Sequence, residues 1–412
     1  MNEADKKLYD ERWGRVRTAA ALKEPDRIPF VPKMGTFVAS GYGLNLYDHM
    51  KDARNLEPCI RQFLKDYEPD LMWPVVTYPI DPCELLEAKY VRFPGPGSGR
   101  PLTDSFQIID GTYMQDDEFE EFLLDPTHFM ITKVLPRKYA RLGDLSKFYG
   151  REIYDLSVLV EMGSMADPGL QEALRLVMKA ADLCKKRNGE SRYIFKLVEE
   201  MGFPHRGGTI LAPFDAYADS LRGLVQASMD VMEFPDETLE CVNRIEAINT
   251  KRAIAAAKRR GDKFVYIPLH AATDDFMSPQ DYDRFYWPGL IRTIEGLVKE
   301  DLIPYVFCEG KYNTRLEKLR EVPVGKVVYM FEQVDIARAK KILGDTACIC
   351  GNLSGSLLAH STPDRVSEET RKLIDICAPG GGFIMDCSTV IDSATHENFA
   401  AWHETTLKYG RY

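Results

Sequence analysis

Six residues with chemistry-bearing side chains stand at the ends of short apolar runs: His270, Glu309, Glu332, Asn352, Asp386 and Cys387. The runs read KFVYIPLH (263–270), IPYVFCEG (303–310), KVVYMFE (326–332), ACICGN (347–352) and GGFIMDCS (381–388). Carboxylate and imidazole side chains bind zinc at about 2.0–2.2 Å. An imidazole can also hand a proton to a departing oxygen. Such chemistry needs the groups in one place, although they are scattered over more than a hundred residues of chain.

The intervening sequence supplies a way to gather them. Helix-sized segments, such as KYNTRLEKLREVPVG between the second and third runs, alternate with the apolar runs. That alternation predicts βαβ units and a parallel sheet. In a closed barrel the C-terminal ends of parallel strands meet on one rim, where barrel enzymes keep their active sites. The expected fold is therefore α/β, a (β/α)8 TIM barrel. It carries an N-terminal helical extension, a β-hairpin insertion and a helical insertion.

The upstream half fills in the rest. Residues 3–23 read as an amphipathic helix stopped by Pro25, before a short strand candidate RIPFVP. The 50–66 region is helical, and LMWPVV (71–76) reads as a second strand interrupted by Pro74. KYVRF and SFQIIDGTYM flank the Gly/Pro-rich PGPGSGRP, which predicts a hairpin within 89–114. Residues 117–200 are mostly helical, with long helices expected over 128–148 and 168–187. GTILAPFDAYADSLRGL (208–224) reads as strand, loop and helix. A further helix over 236–260 ends at Gly261, a C-cap signal. The chain reads as one barrel domain over 1–412, with residues 85–200 inserted within it.

Composition narrows the function classes. The chain has 412 residues, is 45% hydrophobic and carries a net charge of −10 without a basic cluster. No nucleic-acid partner is expected. No run approaches the ~18 apolar residues of a membrane span, so no membrane partner is expected either. The nine cysteines show no paired framework, and MNEADKKLYDERWG lacks signal-peptide character. Together these point to a cytoplasmic protein with reduced thiols.

Several longer segments carry a resemblance. ERWGRVRTAAALKEPDRIPF, APFDAYADSLRG, MSPQDYDRFYWPGL, KKILGDTACICGNLSGSLL, STPDRV and GGGFIMDCS resemble the uroporphyrinogen decarboxylase superfamily. The resemblance covers most of the chain and implies a (β/α)8 barrel. One branch of that superfamily decarboxylates uroporphyrinogen without a cofactor, gripping propionates with an Arg-rich loop. The equivalent loop here, KMGTFVASGYG (33–43), offers only Lys33 as a cation. The other branch, zinc-dependent methyltransferases working with a cobalt corrinoid, is the closer resemblance. Its thiol-directed members carry His-x-Cys-Gly at one strand end and a late Cys. Here Phe307 takes the His place, Glu309 the Cys place, and Cys387 the late position. EQVD (332–335) resembles an EKVD-like segment that puts Glu332 beside the metal. These differences are closer to O-demethylase methyltransferases acting on phenyl methyl ethers.

The resemblance thus implies a methyltransferase that demethylates a small, aromatic methyl ether. The methyl group would pass to Co(I) of a cobalamin (corrinoid) on a separate corrinoid protein, since no DxHxxG-type segment is present in this chain. Glu309, Glu332 and Cys387 are the expected zinc ligands, with Asp386 an alternative to Cys387. His270 is a further ligand or the acid that protonates the phenolate. Asn352 is expected to hydrogen-bond substrate, and Met34 and Tyr312 to line its pocket with other aromatic and methionine side chains.

Each residue also has a structural alternative. Glu309 could act only as an N-cap-like acceptor, Glu332 could pair with an arginine, and Cys387 could be apolar filling. His270 could be a satisfied buried histidine. Asp215, Asp219 and Arg222 read as a structural network. A cofactor-free decarboxylase is the alternative function, and the superfamily makes a homodimer plausible.

Overall fold

The computed structural model describes residues 1–73, 75, 78–148, 160 and 162–412. Five strands pair in parallel and in sequence order: Phe264–Leu269, Ile303–Lys311, Val328–Gln333, Cys348–Cys350 and Phe383–Ile384. These are the five apolar runs singled out in the sequence. Three upstream segments extend the sheet through single bridges. Thr209 bridges Tyr266, Met72 bridges His205, and Phe30 bridges Met385, all in parallel. Asp70 N–H donates to the carbonyl of Phe30 at 2.8 Å, joining the first segment to the second. Strand follows strand round to the start, so eight staves close a barrel and leave no open edge. Pro74 and Val76, part of the expected second strand, lie outside the described residues.

Strand side chains alternate between two faces. In Ile303–Lys311 the rings of Tyr305 and Phe307 meet Trp73 and Tyr266 from other staves, so this parity faces the barrel axis. Glu309 has the same parity. Cys308 has the other, and lies with Tyr282, Tyr312 and Tyr329 between strands and helices. The near-continuous apolar character of these runs follows from burial on both faces.

Both ends of the chain seal the bottom of the barrel. The helix Glu3–Ala20 sets Trp13 edge-on to Phe264, with ring centres 5.2 Å apart. Asp70 is fully buried and accepts from Arg15 at 2.5 Å, Arg27 at 2.6 Å and the N–H of Phe30 at 2.8 Å. The last helix, His396–Tyr409, packs Trp402 against Phe30 at 4.7 Å. The sequence-expected helix over 236–260 is observed as Pro235–Arg260, ending at Gly261 with φ 74°, a conformation that suits glycine.

The insertion lies between the second and third staves. Its hairpin pairs Val91 with Ile108 and Arg92 with Gln107. The helix expected over 168–187 is longer, Pro168–Glu200, capped by Asp167 accepting from the N–H of Leu170 at 2.9 Å. Of the helix expected over 128–148, the first part is helical from Pro126 to Lys138 with a π segment at Met130–Val134; it stops at extended Tyr139, and a 3-10 segment, Ala140–Lys147, follows with Leu142 out of helical geometry. Leu86, Leu142, Leu145, Leu170, Ala173 and Leu176 give the insertion its own small core. No helix among the described residues is long and apolar enough to cross a membrane.

Candidate active site at the barrel mouth

His270 follows the strand Phe264–Leu269 directly and projects at the mouth. Its Nε2 lies 2.9 Å from Oδ1 of Asp219, which belongs to the turn Ala218–Arg222 after the third stave. Asp215, four residues earlier, is fully buried. Its carboxylate accepts from Tyr286 Oη at 2.6 Å and the N–H of Ala271 at 2.8 Å. Burial pushes the Asp215 carboxyl up to about 6. The charges of Asp215, Asp219 and Glu309 push His270 up to about 10, against the desolvation that opposes them. At neutral pH His270 is an imidazolium, held by a carboxylate and still 28% exposed along its side chain.

The insertion reaches this site. The hydroxyl of Tyr78 and the ammonium of Lys138 both feel the charge of Asp219, and Lys138 sits over the Tyr113 ring at 4.5 Å. Asp110, just past the hairpin, accepts from the N–H of Leu224 at 3.1 Å. The inserted segment is thereby tied to the loop that carries Asp219.

The other strand-end residues take different places. Glu309 is exposed on the axis-facing parity; its charge adds to the upward shifts of Tyr266 and His270 and opposes the burial that pushes Lys33 down to about 7. Glu332 accepts from the N–H of Gly310 at 2.7 Å, so its Oε2 already has a backbone partner. Among the described residues it does not take the arginine partner that was one alternative. Gly310 makes that contact in a left-handed turn, φ 82°, where an added Cβ would meet Thr273 at 2.8 Å. Asn352 Nδ2 lies 3.5 Å from the carbonyl of Glu332.

Asp386 and Cys387 fall on opposite sides of their stave. Asp386 is buried and accepts from the N–H groups of Lys33 at 2.7 Å and Cys387 at 2.6 Å. Desolvation pushes its carboxyl up to about 8. Cys350, which shares the axis-facing layer with Tyr305, donates its thiol toward Asp386 at 3.7 Å. Cys387 is also buried, lies 3.5 Å from where a Gly355 Cβ would stand, and has its thiol pushed up to about 12 by burial. Met34 is buried and bridges Ile391, while Tyr312 is fully enclosed with its hydroxyl on the carbonyl of Leu269 at 3.3 Å. Those positions give both residues packing partners, and the Tyr312 hydroxyl is engaged away from any pocket.

The donors expected to hold zinc do not compose a set in this arrangement. Among the described residues, no three His, Cys, Asp or Glu side chains stand close enough together to hold a metal ion. Glu332 is engaged by the backbone N–H of Gly310, and Cys387 packs behind its strand beside Gly355.

The network expected of Asp215, Asp219 and Arg222 divides in two. Arg222 pairs with buried Asp230 and with exposed Asp116, and not with Asp215 or Asp219 among the described residues. Asp215 and Asp219 serve His270.

A family model described as Uroporphyrinogen decarboxylase (URO-D) matches residues 156–408, more than half of the chain. The chain belongs to the URO-D family. A uroporphyrinogen decarboxylase of Chlorobium phaeovibrioides is 30% identical over 216 residues, 52% of this chain and 58% of that relative. Another from Citrifermentans bemidjiense is 30% identical over 110 residues, 27% of this chain and 31% of the relative. This URO-D chain thus spans 58% of the length of the first of these curated relatives and 31% of the second. A solved structure titled methyltransferase from Methanosarcina mazei superposes with a TM-score of 0.62. It covers 96% of this chain and 98% of its own at 13% identity. That likeness is one of fold, and it extends over the whole URO-D barrel with its insertions.

Proposed function

We propose that this URO-D-family chain is a methyltransferase. It takes a methyl group from a small aromatic methyl ether and passes it to a corrinoid carried by a separate protein. The observation that carries the reading is the His270–Asp219 pair at the mouth, 2.9 Å apart. An ether resists demethylation because its oxygen leaves poorly. A reduced Co(I) corrinoid on the partner would supply the electron pair that takes the methyl carbon. The breaking C–O bond then leaves its electrons on the oxygen, and His270 gives that oxygen a proton. A phenol has a pKa near ~10. His270, pushed up to about 10, keeps its proton at neutral pH and can give it to an oxygen of that basicity. Asp219 orients the ring and stabilises its charge, and Asp215 adds to that charge from behind.

The rim also selects against the alternative. Glu309, Glu332 and Asp219 line the mouth with carboxylates. A porphyrinogen with eight carboxylates would meet repulsion there, since like charges interact unfavourably wherever water is partly excluded. A neutral ether does not.

Zinc remains an expectation to be measured rather than a step in this scheme. Glu309, whose carboxylate has no hydrogen-bonding partner among the described residues, is the donor best placed to take a cation. The other expected donors, as placed, do not complete its coordination.

The test is direct. The protein is mixed with a reduced corrinoid protein and an anisole-type ether, and the cobalt absorption is followed. A change that depends on the ether and weakens in His270→Gln supports the reading. An unchanged spectrum with methyl ethers, amines and thiols alike removes it.

A further inference from the structure

The helix Leu224–Glu233 is built inside out. A surface helix normally turns its polar side to water. Here the polar Asp230 is fully buried, where it accepts from Tyr217, Arg222 and Gln226. Val225, Met229 and Met232 stand outside instead, 71%, 41% and 74% exposed. Residues three and four apart are neighbours on one helix face. The three side chains therefore form one apolar stripe, about 10.5 Å long at a rise of 1.5 Å per residue. The helix follows Gly223, directly after the turn Ala218–Arg222 that carries Asp219, so its first turn stands beside the mouth.

The surroundings carry one sign of charge. Between Arg206 and Arg244 there are seven Asp or Glu and one cation, Arg222, which is fully buried. Between Arg100 and Lys133 there are eight Asp or Glu and no Lys or Arg. The fold lays these two stretches together. Arg222 pairs with Asp116, Phe119 packs on Phe234 with ring centres 5.2 Å apart, and the N–H groups of Tyr113 and Met114 both donate to the carbonyl of Leu221. Fifteen of the chain's 63 acidic residues thus lie in stretches that hold one of its 53 basic residues, and outside them the basic residues outnumber the acidic. Cations from elsewhere answer some of these charges, as Arg284 does Asp236. Asp117, Glu120, Glu233, Glu237 and Glu240 are exposed and have no ion pair among the described residues.

An exposed apolar patch rimmed by polar residues marks an interaction surface. We infer that the Leu224–Glu233 face docks a protein partner that presents a basic amphipathic helix. Charge selects this occupant. A second copy of the chain would set the same carboxylates against each other, and an anionic membrane surface would be repelled likewise. A helix with lysine or arginine beside an apolar stripe meets opposite charge at the rim and apolar side chains at the centre. Two turns of such a helix match the length of the stripe. Methionine side chains are unbranched and adapt to the surface they meet. The inference stands apart from the reaction proposed above, because it uses none of the groups assigned to that chemistry.

The test is a fluorescence-anisotropy titration of the full chain with a labelled amphipathic Lys/Leu helical peptide, and with the same peptide carrying Glu for Lys. The Lys/Leu peptide should bind at least about tenfold more tightly, and raised salt should weaken it. Met229→Gln with Met232→Gln, and separately Glu237→Lys with Glu240→Lys, should each weaken binding about tenfold. Glu3→Lys with Glu404→Lys makes the same change in net charge on the helices that seal the barrel bottom, and should leave binding within about twofold. All six positions are exposed, so the variants keep the fold. Equal affinity for the two peptides overturns the inference. Equal weakening by the two charge-reversed pairs also overturns it, since the peptide would then read net charge alone. So does undiminished binding in the methionine pair. A parent chain that dimerises in solution, and becomes monomeric in the methionine pair, would assign the face to a second copy and overturn it too. Binding is read without methyl transfer, so failure here leaves the proposed reaction standing.

Discussion

His270 and Asp219 sit 2.9 Å apart although 51 residues separate them in the chain. One closes a barrel strand, and the other lies in a turn after the neighbouring stave. Their approach is a product of stave adjacency, and it adds to the charge of buried Asp215 in keeping His270 protonated.

The charge on His270 should be measurable. Its titration midpoint, followed by NMR of the imidazole protons, is expected near 10 and should fall in Asp219→Asn. Because the folded pKa is raised, the stability from this pair is fully present below the ordinary histidine value of about 6.5. It is lost as pH rises from there through about 10. His270→Gln should slow ether demethylation by about 100-fold or more, the usual scale for a lost general acid. A wild-type midpoint near 6.5 would contradict the arrangement.

Arg222 and Asp230 are both fully buried and joined by two bonds of 2.7 Å. Tyr217 Oη donates to the same carboxylate at 2.5 Å. Replacing Asp230 with Ala leaves a buried guanidinium without its main partner. The expected loss is about 3–5 kcal/mol in chemical denaturation. A change below 1 kcal/mol would show that the pair does not hold the 213–230 segment.

His49 predicts acid sensitivity. It is buried, both ring nitrogens lack hydrogen-bond partners among the described residues, and desolvation, helped by Arg187, pushes it down to about 4. A depressed folded pKa means that stability is present above about 6.5 and is lost as pH falls through about 4. His49→Leu should flatten part of that acid limb in thermal melts between pH 7 and 4. An unchanged pH profile would count against a neutral buried His49.

Glu309 and Glu332 should respond differently to truncation. Glu309→Ala removes an exposed side chain and should change stability by less than about 0.5 kcal/mol. Glu332→Ala removes the acceptor of the Gly310 N–H, and about 1 kcal/mol should be lost. Zinc analysis of both variants and the parent protein separates folding from metal binding. Stoichiometric zinc that disappears in Glu309→Ala would mean that bound metal rearranges the rim.

Much of the barrel was legible from local pattern. The apolar runs ending at His270, Glu309, Glu332, Asn352 and Asp386 are the five paired strands or their immediate ends, because apolar burial on both faces leaves a direct mark in the sequence. The hairpin around PGPGSGRP was readable for a similar local reason, its turn residues. The helix expected over 128–148 was legible only in its first half, which runs to Lys138; the breaks fall at Tyr139 and Leu142, neither of them a glycine or proline that would have marked the place.

The candidate site was legible only as an inventory. Asp386 and Cys387 are neighbours in sequence, and a one-residue difference sends a strand side chain to the opposite face. Parity put Asp386 against Lys33, and left Cys387 to pack behind the strand. Tyr312 looked like a pocket residue and became part of the layer between strands and helices. Lys33 was visible as the one cation of its loop, but its neighbours Arg206 and Trp73 come from other staves.

Composition, strand runs and family segments, all written within short windows, fixed the kind of barrel and which side chains could stand on its rim. Which of them meet depended on ring closure, where register and parity between distant staves choose the partners. Local sequence does not encode that choice, because each contact energy belongs to two segments at once and exists only after the chain has closed on itself.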